Sequence, residues 1–185
     1  MKNWKLAARV LFAAAVMSFA VAGCAAPRAS EGAVSPGSAA PEAPAPAADA
    51  AAETKTATWG ERYTWADGLA IEVSEPKPCK PSEYSVPENI ERAVVVTIRV
   101  TNGAKETFDS SLLSVGGSAQ HAGKPAESVF DTDGPCSGGV ESADILPGKS
   151  FEYQQAFAVG KAPGELQLAF QPNFGATKAI FLGRA

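Results

Sequence analysis

The stretch that decides the fold is Arg92-Ala93-Val94-Val95-Val96-Thr97-Ile98-Arg99-Val100-Thr101-Asn102. Successive side chains of a strand point to opposite faces. One face of this stretch carries Val94, Val96, Ile98 and Val100, and the other carries Ala93, Val95, Thr97 and Arg99. Its first half is apolar on both faces, which is typical of a central strand that is covered on each side. Asn102-Gly103 then predicts a turn that ends the strand.

Shorter stretches with the same two-residue period occur on both sides of this strand. Asp67-Gly68 predicts the turn of a first hairpin, and Leu146-Pro147-Gly148-Lys149 predicts another tight turn. Alternating or short apolar runs lie at 59–65, 69–73, 108–115, 127–130, 151–159, 165–170 and 178–182. About seven or eight short strands with almost no helical periodicity predict an all-β fold, an immunoglobulin-like antiparallel β-sandwich. We expect this domain to cover residues 57–185.

The N-terminus has the pattern of an export signal. Lys2, Lys5 and Arg9 precede an uncharged apolar run over residues 10–22, as in secretory signal peptides. The run is shorter than the roughly 20 residues that a membrane-spanning helix needs. Val21-Ala22-Gly23-Cys24 resembles the bacterial lipobox, in which the thiol takes a diacylglycerol and becomes the first residue of the mature chain. The alternative is ordinary secretion, with Ala20-Val21-Ala22 as the cleavage site.

A segment rich in Ala and Pro separates this motif from the predicted domain. Residues 25–56 contain Ala, Pro, Gly, Ser and a few acidic residues, with almost no large apolar side chains. Such a composition cannot bury enough surface to offset the entropy of ordering. We therefore divide the chain into a signal peptide (1–23), a lipidated Cys24 with a disordered tether (24–56), and the sandwich. The expected location is the cell membrane, with the chain lipid-anchored on its extracytoplasmic face.

Charge and cysteine content limit the function. The chain has 16 Lys+Arg and 20 Asp+Glu, so loss of the three basic signal residues leaves 13 (16 − 3) basic residues. An acidic chain without basic runs is a poor candidate for binding nucleic acid. With Cys24 lipidated, Cys79 and Cys136 are left as a pair, which in an exported domain predicts one disulfide. Two buried free thiols are the alternative.

Motifs for catalysis and metal binding are weak. Gly148-Lys149-Ser150 lacks the first glycine of a phosphate-binding loop, and the turn leads into a strand rather than a helix. Residues 131–134 place glycine too early for a helix–loop–helix calcium site. His121 lies in Gln120-His121-Ala122-Gly123, a predicted exposed loop, and no motif places a nucleophile or carboxylate beside it. We expect no enzyme activity, no cofactor and no metal site.

Three groups of residues resemble a known family. They are Tyr63 with Asp67-Gly68-Leu69 and Val73, the strand 94–102 that ends in Thr101-Asn102, and Leu146-Pro147-Gly148-Lys149-Ser150 leading into Phe157. They resemble a bacterial family of telokin-like, immunoglobulin-like extracytoplasmic domains of unknown function, similar to a secreted immunoprotective antigen of mycobacteria. The resemblance covers about residues 57–185. It implies a sandwich fold and an extracytoplasmic location, and it brings no catalytic residues.

These observations favour a non-enzymatic binding or interaction module. The loops that the disulfide would pin together, 77–84 and 131–139, are its candidate site, with Lys80, Tyr84, Asp131 and Asp133 as candidate binding residues. The membrane would be contacted through the lipid, and we expect a protein partner in the cell envelope. Two alternatives stay open: a structural or assembly accessory of an envelope complex, or a ligand-binding lipoprotein that serves a transporter.

Overall fold

A computed structural model describes residues 32–36, 56–114, 118–132, 134–136, 138 and 141–185. Cys24, Asp133 and the predicted signal peptide lie outside these residues. In chain order the strands are β1 (Gly32–Pro36), β2 (Glu61–Trp65), β3 (Leu69–Val73), β4 (Lys77–Cys79), β5 (Arg92–Asn102), β6 (Phe108–Asp109), β7 (Gln120–His121), β8 (Lys124–Pro125), β9 (Ser128–Val129), β10 (Asp144–Ile145), β11 (Ser150–Val159), β12 (Glu165–Phe170) and β13 (Ala179–Arg184), and a 3-10 helix, η1, covers Ser110–Leu112.

The strands form two main sheets with antiparallel pairing. The first has the order β1-β2-β3-β5-β11-β9, with β4 also paired to β5, and the second has the order β13-β12-β7-β8. A separate ribbon joins β10 to β6. Buried residues of both main sheets, among them Ile98 and Phe170, belong to one hydrophobic core. The predicted all-β, immunoglobulin-like antiparallel sandwich is confirmed.

Strand β5 is the centre of the first sheet, as its sequence indicates. It pairs with β11 over ten residues, from Arg92↔Val159 to Thr101↔Ser150. Its other edge is shared by β3 and β4, and Ser74 lies between these two strands. The Ser74 N–H donates to the Thr97 carbonyl at 2.9 Å, and the Ser74 hydroxyl accepts from the Thr97 N–H at 2.8 Å. The side chain thus completes the ladder where β3 gives way to β4.

Both faces of β5 are covered, which explains the apolar first half of its sequence. Val94, Val96, Ile98 and Val100 lie in the main core between the sheets, each at most 1% exposed. On the opposite face, a second cluster contains Ala93, Val129, Cys136 and Ala156, with Cys79, Ile90, Val95 and Ala158 packed against it. Burying an aliphatic side chain contributes about 1.5–3 kcal/mol. The second cluster places the disulfide on the outer face of the first sheet.

The rest of that outer face carries a row of alternating charges. Arg62, Glu72, Arg99 and Glu152 are register partners on four neighbouring strands, β2, β3, β5 and β11. Arg62 forms a salt bridge with Glu72 at 2.5 Å, and Arg99 forms one with Glu152 at 2.8 Å. Cross-strand pairs of opposite charge contribute roughly 0.2–1 kcal/mol each. This part of the sheet is therefore a polar, solvated surface.

Asn102 joins backbone segments at the end of the sandwich that lies opposite the disulfide. Its side chain is fully buried, and its amide nitrogen donates to the carbonyls of Glu106 and Ile145, each at 2.7 Å. Its side-chain oxygen accepts from the Ala104 N–H at 3.0 Å. The side chain therefore joins the turn after β5 to strand β10.

The elements of the fold differ from the sequence prediction in four places. Thirteen strands occur among the described residues, rather than seven or eight, because six strands have only two or three residues. The run at 108–115 was predicted to form strands, but only its first two residues form one, β6. The 3-10 helix η1 follows β6 directly, because the Asp109 carboxylate accepts from the Ser111 N–H and caps η1. In β13 it is Phe181 that is fully buried, whereas Ile180 and Leu182 are half-buried on the other face.

The fourth difference lies in the predicted tether. Residues 32–36 are not disordered but form β1, which pairs with β2 in the register Gly32↔Trp65 to Pro36↔Glu61. Composition predicts how much side-chain surface a segment can bury, and it does not predict backbone pairing. An edge strand has unpaired backbone N–H and C=O groups, and these can pair with an extended segment that has little apolar surface.

Candidate binding surface at the disulfide-linked loops

Cys79 and Cys136 form the disulfide that the cysteine count predicts. The bond joins the end of β4 to the loop after β9, with a Cα–Cα distance of 5.3 Å. Cys136 is fully buried in the second cluster, and Cys79 packs against it. The bond therefore fastens the two candidate loops to the sheet and to each other.

A second connection between the loops comes from Asp131. Its carboxylate accepts hydrogen bonds from the Ser82 N–H at 2.9 Å and from the Ser82 hydroxyl at 2.5 Å. The side chain is 5% exposed, so its charge is buried and used inside the protein. A buried polar group is normally hydrogen-bonded inside the protein, and this carboxylate positions the loop through Ser82. That Asp131 also contributes to partner binding stays a prediction.

A short backbone bridge next to this contact presents apolar side chains to solvent. The Val86 N–H donates to the Phe130 carbonyl at 2.9 Å, and the Phe130 N–H donates to the Val86 carbonyl at 2.8 Å. Tyr84, two residues before Val86, is 70% exposed, while Val86 and Phe130 are 60% and 47% exposed. We call Tyr84, Val86 and Phe130 the apolar loop patch. Large apolar side chains that are grouped on a surface indicate an interaction site more strongly than single ones.

Of the four predicted binding residues, Tyr84 belongs to the apolar loop patch. Lys80 is exposed, as is Tyr84. Asp133 lies outside the described residues. Val86 and Phe130 were missed by sequence reasoning, since an isolated bridge between segments 44 residues apart (130 − 86) leaves no local pattern. The sequence feature that could have indicated an apolar surface here is Phe130, which directly precedes the loop that begins at Asp131.

Two clefts flank the segment 88–91. The disulfide cleft, of about 610 Å³, is lined by residues 78–83, 85 and 88–93, and it includes Cys79. Its charged residues are Lys80, Glu83, Glu88, Glu91 and Arg92, so it is mixed in charge with a small acidic excess. The His121 cleft, of about 580 Å³, lies on the other side and is lined by parts of 87–91, 121–127 and 158–163. The loop that carries Cys79 thus forms one wall of a concave surface.

His121 is buried rather than exposed, which corrects the loop prediction. Its Nδ1 accepts from the Gly160 N–H at 3.1 Å, and its Nε2 lies 3.4 Å from a guanidinium nitrogen of Arg92. The same guanidinium donates to the Gly160 carbonyl at 3.0 Å and to the Ala185 carbonyl at 3.1 Å. Burial, followed by the charge of Arg92, lowers the pKa of His121. The neutral imidazole therefore holds the loop at Gly160 in place.

Within the described ranges, no group of three or more His, Cys, Asp or Glu side chains is placed to hold a metal ion. Among the same residues, no helix is both long and apolar enough to cross a bilayer.

Comparisons with known proteins show similarity of fold. No protein-family profile matches the sequence, and no curated protein matches it either. A Bacillus subtilis protein, described provisionally as a lipoprotein, superposes with a TM-score of 0.51 at 16% identity. The match covers 72% of this chain and 39% of that one, so this chain spans about two fifths of its length. The likeness shows a shared fold.

Two further solved structures are similar at a lower level. An uncharacterised β-sandwich protein of Clostridium difficile has a TM-score of 0.42 at 15% identity, over 73% of this chain and 99% of that one. A FixG-related protein of Vibrio parahaemolyticus has a TM-score of 0.39 at 9% identity, over 63% of this chain and 93% of that one.

Proposed function

We propose that this chain is a lipid-anchored extracytoplasmic protein whose sandwich is a non-enzymatic module for binding another protein of the cell envelope. The observation that carries the proposal is the apolar loop patch of Tyr84, Val86 and Phe130. The patch lies on loops that a disulfide and the Asp131–Ser82 contact hold in one conformation. Loops that are fixed in advance lose little entropy when a partner binds.

The composition of the surface fits a protein partner. Aromatic residues such as Tyr and Phe are enriched at protein interfaces and in their energetic centres. The disulfide cleft is lined by Glu83, Ser85 and Glu88, which are close in sequence to Tyr84 and Val86, and its charge is mixed with an acidic excess. These charges favour a partner that presents apolar side chains together with some basic groups.

The test of the surface is photo-crosslinking in intact cells. A photoreactive amino acid at Lys80 labels the partner, and the variant Tyr84→Ala/Phe130→Ala removes the aromatic part of the patch. The matched control is Leu112→Ala/Phe174→Ala, because these residues are also exposed, at 62% and 106%, but lie on other loops. We expect the labelled band to fall at least about tenfold in the first variant, as for loss of a central anchor. An unchanged band, or an equal loss in the control, contradicts the proposal.

The anchor is the second part of the proposal. It rests on Val21-Ala22-Gly23-Cys24 and on the preceding signal pattern, and a protein of the same fold is itself described provisionally as a lipoprotein. Cys24→Ala should abolish labelling by a lipid precursor and should block processing or release the protein. Normal maturation of that variant at the membrane contradicts the anchor. The division at residues 23, 56 and 57 and the resemblance to the telokin-like family are part of the same proposal.

A further inference from the structure

The two main sheets leave few strand edges open among the described residues. The edge of β13 is covered where Ala57 donates to the Ile180 carbonyl at 2.8 Å and accepts from the Leu182 N–H at 2.9 Å. The edge strand β8 ends in Pro125, which has no N–H to offer. The edge strand β9 has only two residues. In each of these places the sandwich domain itself protects the edge.

Strand β2 is different because its cover comes from outside the sandwich. Its five residues pair one to one with Gly32–Pro36, which lies in the predicted tether. Residues 37–55 separate this segment from the described start of the domain. Its sequence, Gly-Ala-Val-Ser-Pro, has no charged residue and no aromatic one, and added strands gain affinity through main-chain hydrogen bonds. A segment that has a long connection to the domain and such a sequence can also leave the edge.

We propose that Gly32–Pro36 is a latch on the β2 edge that sets how far the sandwich stands from the membrane. The inference rests on the proposed anchor at Cys24. When the latch is docked, only eight residue steps (32 − 24) connect the lipid to the sheet. A chain of that length spans at most about 28 Å when it is fully extended.

Release of the latch changes this reach. The lipid is then connected to Ala57 by 33 residue steps (57 − 24). The extended limit of such a chain is roughly 115 Å, about four times the limit with the latch docked. Release also opens the five backbone positions of β2 to an extended strand of another protein. The pairing of β1 with β2 therefore controls both the distance between sandwich and membrane and the accessibility of the β2 edge.

The variant that tests the latch is Ala33→Pro/Val34→Pro. Neighbouring residues of an antiparallel strand alternate in the direction of their N–H groups, so one of the two prolines removes a ladder hydrogen bond in any register. The control is Ala47→Pro/Ala48→Pro, which makes the same change in the tether outside β1. Both variants are prepared as lipidated full chains, and equal melting temperatures show that the sandwich is intact.

Two measurements follow on phosphatidylcholine vesicles that contain a dansyl lipid. Hydrogen exchange reports protection of the segment 32–36. Energy transfer from tryptophan to dansyl reports distance, since the mature chain has only Trp59 and Trp65, and Trp65 is the register partner of Gly32. We expect Ala33→Pro/Val34→Pro to lose protection and to lower transfer by about twofold or more, because the chain between the lipid and the sandwich becomes about four times longer. The control should match the wild type.

Each of the other outcomes contradicts part or all of the proposal. Wild-type residues 32–36 without protection show that the latch does not dock, whatever the anchor is. Lost protection with unchanged transfer shows that docking does not set the reach. A mature chain without lipid at Cys24 overturns the anchor and the reach together, while the exchange result still reports on docking alone.

Discussion

Breaking the Cys79–Cys136 disulfide should lower the stability of the domain strongly. The bond closes a loop with a sequence separation of 57. In the chain-entropy model, a loop of this length stabilises the folded state by about 4 kcal/mol, because the cross-link restricts the unfolded chain. For a domain of this size, such a loss lowers the melting temperature by roughly 12–20 °C.

Two versions of the perturbation separate the cross-link from the packing. Reduction of the wild type breaks the bond but leaves both sulfur atoms in place. Cys79→Ala/Cys136→Ala also removes atoms from the second cluster, where Cys136 is 0% exposed. The cavity adds about 1 kcal/mol at most for so small a deletion.

The assay is urea unfolding of the sandwich domain, followed by tryptophan fluorescence, with calorimetry as a second measure. We expect the reduced protein to lose about 4 kcal/mol and the double variant slightly more. The binding surface should loosen in parallel, so exchange of the Val86 and Phe130 amides should quicken. A loss below about 1 kcal/mol in both versions refutes the reasoning, since the loop would then be restricted in the unfolded chain by something else.

Three further predictions concern single contacts. Asn102→Asp places an acceptor against two backbone carbonyls and buries a charge, so it should lower the free energy of unfolding in urea by about 3–5 kcal/mol. The control Asn173→Asp, on an exposed loop, should lower it by less than about 0.5 kcal/mol. Equal effects contradict the role of Asn102. Because the pKa of His121 is lowered in the folded protein, the unfolded chain takes up a proton more readily, and the free energy of unfolding should decline as pH falls below 6.5. His121→Gln should flatten that part of the plot of stability against pH. An unaltered slope disproves the assignment. A double-mutant cycle on Arg99 and Glu152 should give about 0.2–1 kcal/mol at low salt and less at high salt, and a salt-independent coupling would argue against an ion pair.

The sandwich could be predicted because its signals are local. The aliphatic alternation of Val94 to Val100 follows from the two-residue period of a strand, and the hairpin at Asp67-Gly68 follows from turn chemistry. The disulfide was predicted by counting, since lipidation of Cys24 leaves one pair in an exported domain. The proposed anchor at Cys24 likewise depends on sequence alone.

The candidate site could be predicted only in part. The two loops were identified through the cysteines that they carry, and Lys80 and Tyr84 are exposed as expected. The burial of Asp131 could not be predicted, because its contact comes from Ser82, 49 residues away. Polar residues in a loop sequence look alike whether they meet solvent or another loop.

What the sequence determined by itself is therefore the class of fold, the central strand and the residues available for a cross-link. What only the tertiary structure decided is which loop residues are used internally and which are presented: Asp131 and His121 inside, Val86 and Phe130 outside. It also decided that Gly32–Pro36 lies on the edge of β2. The physical reason is that periodicity and turn preference act between neighbours in the chain, whereas burial and edge pairing depend on segments that meet only after the sheets have formed.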